Sequence, residues 1–195
     1  MQFKRVAAAT CGHSLDLFFS MTKLRLTILI LVQMLVCTSL SAVNVGKMYR
    51  SIMTENGPLY FIMPQEMPKS KGSKAKKELL FDVTCHSQGD SLAITSTLYS
   101  ATPYNEATAT IMVPGEEPLR PSVEVIFSDV LKKGYNNRIK FTLHREQFMK
   151  LFNSPQSFVL DFGQGNTFSY SSSKWAKEKD LMNQIMTMIE INSKR

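Results

Sequence analysis

Three groups of residues in this sequence have the types and spacing to do chemistry. The most unusual is basic: Lys69, Lys71, Lys74, Lys76 and Lys77 place five ammonium groups within nine residues, separated by Ser, Gly and Ala. Such a run attracts an anionic polymer or an anionic lipid face through a salt-screened field. It has no interleaved aromatics on which bases could stack, so it does not point to specific nucleic-acid recognition. The competing expectation is a solvated loop whose charge serves solubility. The second group is Cys85 beside His86, with His144 as a further base and Asp161 as an orienting acid. Adjacent strand residues face opposite sides of a sheet, so Cys85 and His86 do not readily pair. Cys85 instead shares its face with Leu79, Phe81 and Val83, the setting of a buried, inert thiol.

The third group is Gly89-Asp90-Ser91-Leu92, which reproduces the GDSL string of a family of serine esterases. Their chemistry needs the serine on a strand-to-helix elbow, with a base, an orienting acid and oxyanion donors in reach. Here Ala93 to Tyr99 is rich in strand formers, so Ser91 opens a strand, and that family's Asp shortly before a His near the C-terminus is missing. No pair of His or Cys has zinc-site spacing, and no calcium loop is present. Gly163-Gln164-Gly165 lies between strands with no helix N-terminus for a pyrophosphate, and the Asp-Phe-Gly at 161–163 lacks kinase context. Met182, Met186 and Met188 are read as packing residues of a helix rather than soft-metal ligands. No cofactor is expected.

The elements that must position these groups follow a leader. From Met21 the chain reads as a positive flank (Lys23, Arg25), an apolar run from Leu26 to Val36, and small residues to Ala42, the three regions of a secretory signal peptide. The run is shorter than the ~20 apolar residues a bilayer-crossing helix needs. Residues 1–20 read as an upstream extension of the reading frame, with the tail of an uncleaved type II anchor as the alternative. Cleavage leaves residues 43–195 as one exported domain with Cys85 as its sole cysteine, so no internal disulfide can form. Its net charge is +4, against +7 for the 195-residue chain, so the basic pI is weak evidence for a nucleic-acid partner.

Within that domain Val43 to Pro58 reads as a lead-in and Leu59 to Met63 as a strand closed by Pro64. Residues 66–77 form a lysine-rich mobile loop with nothing to bury. Period-two alternation gives strands over 78–86 and 91–99, joined by a turn at 87–90, and others at 108–113, 123–128, 139–143, 158–162 and 168–170. Phe148, Leu151 and Phe152 mark a short helix over 145–153. Trp175, Met182, Ile185, Met186 and Ile189 form the stripe of a C-terminal helix over about 174–191. The stretch from Ser122 on reads as strand, turn, strand, helix twice over.

The expected fold class is α+β and β-rich, an antiparallel sheet or open β-sandwich of about seven strands with a short helix and a C-terminal amphipathic helix. In outline this resembles several small exported bacterial β-proteins, an analogy of architecture that carries no site residues across. The expected function is that of a secreted or periplasmic, non-enzymatic module acting by surface contact with a protein or envelope component. Two alternatives stand beside it. One is a small hydrolase using Ser91 or Cys85 with His86 or His144 as base. The other is a membrane-anchored protein whose lysine loop touches anionic lipid or polymer.

Overall fold

Leu79 to His86 and Ser91 to Ser100 alternate buried and exposed side chains, and this period of two creates the middle of the main sheet. The computed structural model describes residues 44–104 and 108–193; the leader and upstream extension lie outside the described residues. A short 3-10 turn at Val45–Lys47 leads into β1 (Tyr49–Thr54), β2 (Gly57–Met67), β3 (Leu79–His86), β4 (Ser91–Ser100), β5 (Thr110–Met112), β6 (Val123–Leu131) and β7 (Gly134–His144). Helix α1 (Arg145–Asn153), β8 (Val159–Asp161), β9 (Thr167–Phe168) and helix α2 (Ser172–Ser193) follow. The architecture is α+β and strand-rich. An open six-stranded antiparallel sheet runs β1-β2-β3-β4-β7-β6, and a small antiparallel sheet runs β5-β8-β9.

The inner face of the main sheet buries Ile62, Leu79, Val83, Leu92, Leu98 and Ile139 almost completely. The small sheet belongs to the same core through Ile111 and Leu160, and the ring of Phe141 on β7 meets Phe162 just after β8, with centroids 6.3 Å apart. α1 adds Phe148, Leu151 and Phe152, and α2 buries Trp175, Met182, Ile185, Met186 and Ile189, the stripe its spacing foretold. At roughly 1.5–3 kcal/mol per buried large side chain, that stripe is what holds the long helix to the domain. The apolar space among Met67, Phe81, Ile94, Phe141 and Phe152 is a void of ≈ 20 Å³. That is room for about one water, with no polar partner to keep it there.

Several local expectations change on contact with the fold. The lead-in contains β1, an edge strand whose Ile52 and Met53 are exposed, so it carries no alternating signature. Pro64 does not close its strand: β2 continues to Met67 through a bulge between Ile62 and Gln65, where a missing N–H breaks no ladder bond. Gln65 Nε2 donates to the Met63 carbonyl inside that bulge (2.7 Å). The β6–β7 turn is Lys132-Lys133 alone, and Gly134 to Asn137 already belong to β7. A second bulge between Val125 and Phe127 turns Phe127 outward, opposite Arg138. The two strand-turn-strand-helix runs are unlike, since the first pair joins the main sheet and the second the small one. Met188 is exposed, while Met182 and Met186 pack.

Candidate anion-binding groove

The lysine run begins where β2 ends, and the fold treats it as structure. Met67 is fully buried in β2 and Ala75 is buried too, so the segment is not without buried residues. Lys69 makes an antiparallel bridge with Phe168, Ser70 N–H donates to the Thr167 carbonyl (2.9 Å), and Ser169 N–H donates to the Pro68 carbonyl (3.0 Å). Residues 68–70 therefore lie along the β9 edge of the small sheet. The Ser73 hydroxyl accepts from Thr167 N–H (3.0 Å) and Ala75 N–H (3.3 Å) and donates to the Gly165 carbonyl (3.4 Å). Lys74 N–H donates to the same carbonyl (2.8 Å).

This anchoring divides the five lysines. Lys69 and Lys71 line a surface groove of ≈ 420 Å³ together with Lys174, Ser70, Ser169 and Ser171. Lys174 stands in the first turn of α2, which carries no acidic residue. Ser70 Oγ and Ser169 Oγ share a hydrogen bond across the groove (2.9 Å), and Ser171 Oγ shares one with Ser173 Oγ (3.3 Å). Tyr170 also lines the groove; burial first, then Glu178 and Glu66, push its hydroxyl well above the usual tyrosine range, so it remains a neutral donor. The adjoining groove around Gln156 and Lys179 differs, because Lys179 Nζ is already directed at the Asn153 (3.4 Å) and Ser154 (3.3 Å) carbonyls.

The other three lysines point elsewhere. Lys74 lays its stem on Gly165, where an added Cβ would sit 3.1 Å from Lys74 Cδ. Gly165 belongs to a turn in which Gly163, Gln164 and Gly165 all take positive φ, and Asn166 holds that turn by donating to Gly163 O (3.1 Å) and Tyr104 Oη (2.9 Å). Burial pushes the Tyr104 hydroxyl up to about 12, the Asn166 bond opposing and Asp161 adding to the rise. Lys76 Nζ donates to the Lys133 carbonyl at the β6–β7 turn, and Lys77 Nζ sits 4.2 Å above the Tyr99 ring.

Sequence reasoning missed Lys174 as the partner of Lys69 and Lys71. Its one local signal is the Ser171 to Ser173 capping run just before it, which orients the first turn of α2.

Cys85 is 2% exposed on the inner face. Burial raises its thiol pKa, and Arg145 opposes the rise. His86 is next to it on β3 with its side chain on the other face, as alternation requires. Ser91 begins β4 directly across the ladder from His144, and that pairing brings the two side chains of the hydrolase alternative alongside each other. His144 N–H donates to Gln147 Oε1 (3.1 Å), which caps the start of α1. Asp161 is committed to the turn, its Oδ1 accepting from Gly163 N–H (2.7 Å). The core void and the grooves described above are lined by other residues. Among the described residues no three His, Cys, Asp or Glu side chains converge as a metal site, and no helix is long and apolar enough to cross a membrane.

Comparison with protein-family models, with curated proteins and with solved structures gives no match.

Proposed function

We propose that this protein is an exported, non-enzymatic module that works by surface contact, and that it holds an anionic polymer, sulfated or phosphorylated, in the groove between Lys69, Lys71 and Lys174. The observation that carries the reading is that three lysines from two distant parts of the chain, Lys69, Lys71 and Lys174, line one groove together with Ser70, Ser169 and Ser171. Lysines supply the long-range field and hydroxyls supply short, directional bonds to anion oxygens. Backbone bonds from 68–70 to β9 fix where Lys69 and Lys71 start, which lowers the ordering cost of binding.

The test is heparin or polyphosphate binding followed by fluorescence anisotropy across a salt series. Changing Lys69, Lys71 and Lys174 together to Gln lowers affinity about tenfold or more and flattens the salt dependence, since each exposed lysine contributes through a screened interaction. Undiminished binding in that triple variant overturns the site. Export is tested separately by N-terminal sequencing of the protein outside the cytoplasm, with a start near residue 42 or 43 expected; retention of Phe18 and Phe19 overturns cleavage.

The hydrolase alternative has one observation in its favour, the Ser91–His144 cross-strand pair. A fluorophosphonate probe that labels wild type and spares Ser91→Ala would establish it.

A further inference from the structure

The far end of the lysine segment reaches a second surface with different chemistry. At the β6–β7 turn Leu131 pairs with Gly134, so Lys132 and Lys133 form the whole connection. Just before them Val130 is 77% and Leu131 43% exposed, on a strand that already forms the edge of the main sheet. Lys76 is tied to this turn by its bond to the Lys133 carbonyl. A Cβ on Gly134 would lie 2.6 Å from Lys76 Nζ, which shows how tightly the ammonium is seated. Lys77 stands over Tyr99, whose ladder partner is Asn136, two residues beyond Gly134. Two exposed aliphatic side chains, consecutive and so on opposite faces of the strand, thus precede Lys132 and Lys133 at a turn that also holds Lys76, with Lys77 over the nearby Tyr99 ring and Asp129 as the neighbouring carboxylate.

We propose that this hairpin tip docks on an anionic phospholipid surface, with Val130 and Leu131 entering the headgroup boundary while Lys132 and Lys133 pair with the phosphates and Lys76 and Lys77, held by the Lys133 carbonyl and the Tyr99 ring, add to the positive field. Charge complementarity selects the occupant: aliphatic side chains lower their free energy by leaving water, and lysines beside them gain only where the apolar phase has a negative rim. A second copy of the chain meets the same lysines and is repelled. The edge strand is also unsuited to pairing with another strand, since the bulge between Val125 and Phe127 breaks its register and Glu124 and Asp129 put charge along it.

The experiment uses the compact unit from Asn44 onward, which holds both sheets and both helices, so that the apolar leader does not contribute. Its co-flotation is measured with vesicles of phosphatidylcholine alone and of phosphatidylcholine mixed with phosphatidylglycerol. Binding is expected to the mixed vesicles and not to the neutral ones. The double variant Val130→Asp and Leu131→Asp lowers binding about tenfold or more, as two lost aliphatic contacts predict. Lys132→Gln with Lys133→Gln lowers it and weakens its salt dependence, whereas the groove triple variant leaves it unchanged. Both tip variants keep the thermal midpoint of wild type, because the altered side chains are exposed.

Absence of binding to the mixed vesicles overturns the proposal, as does equal binding by the tip variants. A concentration-dependent dimer that Val130→Asp with Leu131→Asp dissociates also overturns it, in favour of a second copy. Heparin binding by the tip variants is expected to match wild type, so failure here and failure of the groove reading are told apart.

Discussion

The two ends of the lysine segment carry the same charge and are held in different ways. At its start, residues 68–70 are bonded through their backbone to β9, and Lys69 and Lys71 line a groove together with Ser70, Ser169 and Ser171. At its end the side chains do the holding, Lys76 through the Lys133 carbonyl and Lys77 through the Tyr99 ring, beside exposed aliphatic residues. The difference teaches that a charge run is not a unit of recognition. What each lysine can bind depends on what flanks it once the chain has folded, and here one flank is proposed to hold a hydrated polymer and the other to meet a lipid boundary.

The largest expected effect comes from breaking the tip at its joint. Gly134 has φ +115, and an added Cβ would collide with the Ser100 carbonyl. Gly134→Ala therefore forces β4, β7 and the Lys76 side chain apart and costs about 2–4 kcal/mol in urea unfolding. The groove end is weaker, because its key contact is a single hydroxyl. Ser73→Ala removes three hydrogen bonds and costs about 1–2 kcal/mol. It also speeds amide exchange at 70–75 while leaving the turn at 132–134 as protected as before.

Alkaline pH sharpens the contrast. Tyr104 is held near 12 against an ordinary 10, so its contribution to stability is complete below pH 10 and is lost as the pH rises through 12. Its hydroxyl receives the Asn166 bond that fixes the 163–166 turn under Lys74, so this loss is expected on the groove side of the segment. Tyr104→Phe removes that part of the alkaline denaturation profile. The smallest effect belongs to Lys76→Gln and Lys77→Gln, which shift stability by about 0.5 kcal/mol or less and heparin affinity by about twofold or less.

Much of the architecture was legible because it rests on periodicity. The alternation at Leu79 to Cys85 and at Leu92 to Leu98, and the stripe from Trp175 to Ile189, each report one buried face. What escaped was set by partners rather than by pattern. β1 is an edge strand with an exposed middle, Pro64 sits in a bulge that only the neighbouring strand reveals, and Phe127 is turned outward by a bulge its own residues do not announce. The candidate groove was half legible. Lys69 and Lys71 stand out by spacing, whereas Lys174 joins them only because β9 and the first turn of α2 bring residue 174 beside residue 69. The Ser91–His144 register was equally invisible, since β4 ends at Ser100 and its partner β7 begins only at Gly134, after two other strands of the chain.

The thiol on the inner face of β3 bears on how copies of this chain can associate. Cys85 is sealed behind the sheet and held in its protonated form by burial, and a thiol must be both reachable and ionised to attack a disulfide. The folded domain therefore has no covalent handle. Were copies of it to gather on a polymer or a bilayer as proposed, Cys85 would not join them, and dilution or salt would separate them again.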